Sequence, residues 1–300
     1  MKNFLNISDL NLKELKKILN FAKKLKKNKN KYTSILKNKS LGLIFEKQST
    51  RTRLSFVVGI QKLGGNAIEL SENQIGYGVR ESKKDIIKVM SQYLDAIIIR
   101  NDDHDQLTNL ASMDVVPIIN GLSNFSHPCQ ILSDIFTIEE SIGNIRNKTI
   151  TWMGDFNNVL ISLIEAAEIF KFKLNICTPY NLIKNKKKLK YKKLKFCTFF
   201  KDINLGLKNS DCVMTDTWIS MGEKNSMIKK NKLKKFQVNS EIMKQANKKA
   251  IFMHCLPAHR EEEVTSRVLD GKQSIVWQQA KNRMYVQQSI MCYLLGYVKI

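Results

Sequence analysis

Leu41-Gly42-Leu43-Ile44-Phe45-Glu46-Lys47-Gln48-Ser49-Thr50-Arg51-Thr52-Arg53 decides the architecture. The apolar run Leu41–Phe45 reads as a buried strand, and the hydroxyls and arginines behind it open a helix, Ser49–Leu63, that stops at Gly64-Gly65. Working outward, Leu12, Leu15, Ile18, Leu19, Ala22 and Leu25 fall on one face of a preceding helix. After Gly65 the alternation continues with strands at Ala67–Leu70, Ala96–Ile99 and Val115–Ile119, and with helices at Ser82–Tyr93 and from Pro128 to about Glu140. A second series repeats the rule. Its strands are Thr149–Met153, Leu174–Cys177, Cys212–Thr215, Ile251–His254 and Ser274–Trp277, its helix Val159–Phe170, and an amphipathic helix through Tyr285 and Leu295 closes the chain. Strands that alternate with helices form parallel sheets covered by helices, so the expected fold is α/β. It has two domains, each a mostly parallel sheet flanked by helices, joined by interdomain helices.

Three hundred residues suit two domains. With 43% hydrophobic residues, 13 Gly and 4 Pro, the chain is neither collagen-like nor Pro/Gly-rich and disordered. No apolar run reaches transmembrane length and the first fifteen residues lack a signal-peptide core, which places the protein in the cytoplasm and away from membranes. Six widely spaced cysteines, none in a C-x-x-C pair, are expected to be free thiols, with no metal site. The net charge of +23 is an electrostatic footprint for nucleic acid or an anionic surface. Its lysines, however, lie in Lys23–Lys31, Lys184–Lys201 and Lys229–Lys235 among asparagines, not among aromatic residues that stack on bases. Abundant Lys, Asn and Ile together point to compositional bias and a solvated surface, so nucleic acid is not an expected partner.

Chemistry concentrates at strand ends. In open α/β sheets ligands sit at the carboxyl ends of strands, and a helix N-terminus offers free N–H groups to an anion. Ser49, Thr50, Arg51 and Thr52 stand at such a point, and arginine forks onto two oxygens as lysine does not. The segment lacks the glycines of a P-loop, which argues against nucleotide. Arg100 follows Ala96–Ile99 at another strand end, and His127-Pro128-Cys129-Gln130 opens a helix that turns His127 and Gln130 toward the same crevice. In the second half, Gly154-Asp155-Phe156-Asn157-Asn158, Asp216-Thr217-Trp218-Ile219-Ser220-Met221-Gly222 and His254-Cys255-Leu256-Pro257 end three strands. Asn158 and Asp216 suit an amino acid's carboxylate and ammonium, and Gly222 gives the Ser220–Gly222 segment freedom to close. Taken singly, an Asx turn, a helix cap and an inert thiol explain Asn158, Asp216 and Cys255 as well.

Taken together, F-E-K-x-S-T-R-T-R, H-P-C-Q, G-D-x-N-N, D-x-W-x-S-M-G, H-C-L-P and N-R, in this order along nearly the whole chain, resemble the aspartate/ornithine carbamoyltransferase family, and within it the ornithine branch. The resemblance implies a carbamoyl-phosphate domain, 1–137, onto which the helix 284–300 packs back, and an ornithine domain, 138–283. It implies transfer of the carbamoyl group to the δ-amine of L-ornithine, no cofactor, and a homotrimer or multiple of trimers. Carried over by position, Ser49, Thr50, Arg51 and Thr52 bind the phosphate. Arg100, His127 and Gln130 surround the carbamoyl group, with Cys255, Leu256 and Arg283 completing that site and Arg100, His127 and Cys255 in the catalytic role. Asn158, Asp216, Ser220 and Met221 hold ornithine. Gln74 is carried over as a carbamoyl-phosphate ligand from a segment, 73–81, whose spacing departs from the family's forms, and Val57 replaces its usual acidic residue. A sibling enzyme acting on putrescine or an acylated ornithine is the near alternative, and a basic nucleic-acid-binding protein the distant one.

Overall fold

A computed structural model describes residues 2–298 apart from 29, 48, 72–75, 77–79, 185–193, 220–222 and 224–225. The chain divides into two units, Met1–Phe136 with Lys281–Ile300, and Thr137–Ala280. Among the described residues no helix is long and apolar enough to cross a membrane.

In the first unit β1 (Ser40–Phe45), β2 (Asn66–Leu70), β3 (Ala96–Arg100) and β4 (Ile118–Leu122) form a parallel sheet in the order β2-β1-β3-β4. Its helices are α1 (Leu12–Lys27), α2 (Thr50–Lys62), α3 (Lys83–Met90), α4 (His104–Ala111) and the start of α5 (Pro128–Ile142). Asn11 caps α1 by accepting from the Glu14 N–H, and Leu15, Ile18, Leu19, Ala22 and Leu25 form its buried face. Ile44, Ile87, Ile97, Ile99, Leu107 and Ile118 pack one side of the sheet. The fourth strand starts at Ile118, not at Val115 as the sequence suggests, because Pro117 has no N–H for a ladder. Its carbonyl instead accepts from Ile97 N at 2.9 Å. Helix α4, which the sequence reading missed, is capped by the Asp103 side chain accepting from Gln106 N.

In the second unit β5 (Thr149–Met153), β6 (Lys173–Cys177), β7 (Cys197–Phe199), β8 (Cys212–Thr215) and β9 (Ile251–His254) lie parallel in the order β7-β6-β5-β8-β9. Around them run α6 (Asn158–Phe170), α7 (Tyr180–Lys184), α8 (Ile203–Leu207), α9 (Met227–Leu233), α10 (Ser240–Gln245), α11 (Ser266–Leu269) and α12 (Val276–Leu294), whose later turns belong to the first unit. Met153, Val213, Phe236, Phe252, Val264 and Val276 are part of its core. The expected strand Ser274–Trp277 does not form. Ser274 makes one isolated bridge to Phe252, and Val276 and Trp277 already begin α12.

Both sheets reverse direction of growth at one point. From β1 the chain moves outward to β2 and then crosses back to β3, and from β5 it moves to β6 and β7 before crossing back to β8. At such switch points the connections leave the strands' carboxyl ends on opposite sides and open a crevice.

Candidate active site

The β1–β3 switch point collects the cations. Phe45 lies opposite Arg100 in the ladder, and Glu46 N donates to the Arg100 carbonyl at 3.1 Å, so the two strand ends are tied. Ser49 caps α2 by accepting from Thr52 N, which leaves the first turn's other N–H groups directed past the strand end. Thr52, almost wholly buried, accepts at Oγ1 from Arg283 Nη2 at 2.7 Å and from Arg100 Nη1 at 3.4 Å. Two guanidiniums therefore converge on one neutral hydroxyl. Arg51 is half-buried and Thr50 exposed on the same turn.

His127 and Gln130 are buried at the start of α5. Burial, with the positive charges of Arg283 and Arg100, holds His127 well below the ordinary histidine range, so its ring is neutral at pH 7. Gln130 donates through Nε2 to Asp134 Oδ1 at 2.8 Å, one turn along α5. That bond fixes the amide and leaves its buried Oε1 without a hydrogen-bond partner among the described residues. Cys129 between them is a structural thiol, pushed up to about 12 by burial.

The β5–β8 switch point collects a carboxylate. Gly154 has φ +125°, and a Cβ there would stand 3.2 Å from Thr215 Oγ1, so glycine is required where the β5 end turns beside β8. Asn157, one residue before the expected ligand Asn158, caps α6 by accepting from Val159 N and Leu160 N, and donates through Nδ2 to Asp216 Oδ2 at 2.7 Å. Asn158 is the first helical residue and half-buried. Asp216 also accepts from Cys255 Sγ at 2.8 Å. Two neutral donors thus hold its carboxylate.

The strand end at Cys255 is itself braced. His254 Nδ1 accepts from Leu256 N at 2.9 Å, so Nε2 carries the proton and donates to Glu263 Oε1 at 3.1 Å. This bond steadies Leu256, whose φ of +58° a leucine adopts at a cost of about 1–3 kcal/mol. Asp216, His254 and Cys255 place one metal-ligating atom each within 4.8 Å of one another, as do His259, Glu262 and Glu263. A cation at the first cluster would displace the hydrogen bonds just described.

The structure thus gathers Ser49, Thr52, Arg100 and Arg283 at one switch point with Thr50 and Arg51 on the same turn, and Asp216 with Cys255 at the other. Gln74, Ser220 and Met221 lie outside the described residues. Sequence reasoning missed Asn157 and the His254–Glu263 brace. The only signal for Asn157 is an asparagine ahead of an apolar helix, which fits Asn158 equally well.

Residues 2–140 match the family model for the carbamoyl-P binding domain of aspartate/ornithine carbamoyltransferases, and residues 146–294 that for the Asp/Orn binding domain. An ornithine carbamoyltransferase from Nitrobacter winogradskyi is 43% identical, the match covering 98% of this chain and 97% of that protein. One from Rhodopseudomonas palustris is 44% identical, with 99% and 97% covered. Among solved structures, that of the ornithine carbamoyltransferase from Burkholderia thailandensis has a TM-score of 0.90 at 41% identity over 98% of this chain and 99% of its own. The Pyrococcus furiosus enzyme also has a TM-score of 0.90, at 37% identity over 98% and 97%. With both family models matched in order and full-length relatives above 40% identity, the chain belongs to the aspartate/ornithine carbamoyltransferase family.

Proposed function

We propose that this chain transfers the carbamoyl group of carbamoyl phosphate to the δ-amine of L-ornithine, giving L-citrulline and phosphate. The observation that carries the division of labour is the opposite charge of the two switch points. Arg100 and Arg283 converge on Thr52 in the first unit, and a carboxylate held by neutral donors stands in the second. The dianionic phosphate sits at the start of α2, on the N–H groups and hydroxyls of Ser49, Thr50 and Thr52 and the fork of Arg51. The carbamoyl NH2 donates to Gln130 Oε1, while Arg100 and neutral His127 face the carbonyl oxygen. Asp216 takes the amino acid's ammonium and Asn158 its carboxylate. Gln74, Cys255 and Leu256 on the carbamoyl-phosphate side, and Ser220 and Met221 on the ornithine side, complete this assignment.

The δ-ammonium loses a proton before attack. The free amine then adds to the carbamoyl carbon, negative charge grows on the carbonyl oxygen, the C–O bond to phosphate breaks, and the phosphate takes the proton released by nitrogen. Donors fixed in advance at the growing oxyanion are the largest source of acceleration available here. Neutral His127 suits this role, since it donates without adding a third charge between Arg100 and Arg283. A site built around a free α-amino acid favours ornithine over putrescine or an acylated ornithine. Citrulline formation measured with ornithine, putrescine and acetylornithine tests this, and a preference for either alternative substrate would replace the reading.

The same reading takes 1–137 with 284–300 as the carbamoyl-phosphate domain, and 138–283 as the ornithine domain. It also takes the protein to be cytoplasmic and a homotrimer or multiple of trimers. None of the six cysteines is in a disulfide, which suits a reducing compartment. Strand β2 is an edge strand of the first sheet, and Leu54, Ile68, Val89 and Tyr93 in the same unit are exposed, an apolar edge that association would cover. Sedimentation equilibrium at three times the 34.6 kDa chain mass is the expected result.

A further inference from the structure

We propose that Lys229 is a positioning residue for the amino-acid half of the reaction, neutralising Asp155 so that Asp216 alone is left to receive the substrate's ammonium. Lys229 stands in the first turn of α9, where Ser226 caps the helix by accepting from its N–H. Its ammonium donates to Asp155 Oδ2 at 2.8 Å and to Glu223 Oε2 at 2.6 Å. The Asp155 side chain is only 3% exposed and that of Lys229 17%. A carboxylate this deep is stable as an ion only with a partner.

Asp155 lies in the turn that positions Asp216. Its carbonyl accepts from the indole N–H of fully buried Trp152 at 2.9 Å, and two residues later Asn157 caps α6 and donates to Asp216. The turn is therefore held from below by Trp152 and from the side by Lys229. Burial works against the Lys229 charge, yet Asp155 and Glu223 hold it above the ordinary lysine value, so the lysine is charged throughout the working pH range. Without Lys229 the turn would carry a second carboxylate that has lost its ion pair with the ammonium. Asp155 would then move toward water, carrying Asn157 with it, or draw the substrate's ammonium away from Asp216.

This inference rests on the reading of Asp216 as the ammonium site. Citrulline formation is measured for wild type, Lys229→Met, Lys229→Arg, and Lys229→Met combined with Asp155→Asn. Lys229→Met is expected to raise the ornithine KM about tenfold or more while the carbamoyl-phosphate KM moves less than about twofold, the signature of one lost binding contact. Lys229→Arg restores the ornithine KM to within about threefold, and Asp155→Asn recovers part of the loss by removing the stranded charge. An unchanged ornithine KM, or equal changes in both KM values, overturns the proposal. If Lys229→Met does not fold, Lys229→Gln carries the same comparison. Asp216→Asn is run alongside. Should it leave the ornithine KM unchanged, the substrate reading has failed, and Lys229 is then judged by a crystal structure of its variant. Loss of the Asn157–Asp216 hydrogen bond there supports the brace, and its retention overturns it.

Discussion

The β1–β3 and β5–β8 switch points are made by the same backbone device, a parallel sheet that reverses its growth and a capped helix leaving the strand end. They differ in which side chains stand there. In the first unit Ser49 caps α2 and two guanidiniums meet on Thr52, whereas in the second Asn157 caps α6 and spends its other end on Asp216. The shared device supplies the place and the partial positive charge of a helix start. The side chains then decide whether that charge is reinforced by guanidiniums or countered by a carboxylate.

The largest break in this comparison is expected from Arg100→Ala, which on the proposed assignment removes a donor from the carbamoyl oxygen in the first unit. Turnover should fall about 10²–10³-fold in citrulline assays while the ornithine KM stays near wild type. Thr52→Val keeps the shape but removes the acceptor that two guanidiniums share. Hydrogen bonds to charged groups are worth about 1.5–3 kcal/mol, so the carbamoyl-phosphate KM should rise about tenfold or more, with no effect specific to ornithine. In the second unit Asn157→Ala loses a cap and the Asp216 contact together. Stability should drop by about 1 kcal/mol, seen as a melting shift of a few degrees, with the ornithine KM raised and the carbamoyl-phosphate KM unmoved.

The smallest effect is a pH dependence confined to the first unit. His127 is held well below the ordinary histidine value by burial, then by Arg283 and Arg100. Below about pH 6.5 the unfolded chain takes up a proton that the native His127 refuses. Its contribution to stability is therefore present at pH 7 and is lost as pH falls toward 5. Melting temperature against pH should show this decline in wild type and a flatter line in His127→Asn.

Much of this architecture is legible before any coordinates, for a physical reason. Buried parallel strands read as apolar runs, so Leu41–Phe45 followed by Ser49–Arg53 marks the strand and the helix start behind it, where the candidate site is placed. The failures are equally physical. Ser274–Trp277 carries Ile275 and Val276 and looks like a strand, yet helix α12 starts within it, because short apolar runs do not separate strand from helix. Helix α4 carries only Leu107, Leu110 and Ala111 as apolar residues in its two turns, too short a run to stand out, and its start is set by Asp103. Asn157 and Asn158 are identical neighbours in sequence. Only the helix start, one residue earlier than the apolar pattern suggests, assigns the cap to Asn157. The brace of Cys255 by His254 and Glu263 depends on a nine-residue separation that no strand or helix period marks.

The most direct test of opposite-charge switch points is a pair of KM values for each of two variants, Arg51→Ala and Asp216→Asn, from citrulline formation. Arg51→Ala should raise the carbamoyl-phosphate KM by about 10–100-fold through loss of a forked charged contact and leave the ornithine KM within about twofold. Asp216→Asn should do the reverse. Variants that each shift both KM values by the same factor, or that cross over, would contradict the division of the two substrates between the two switch points.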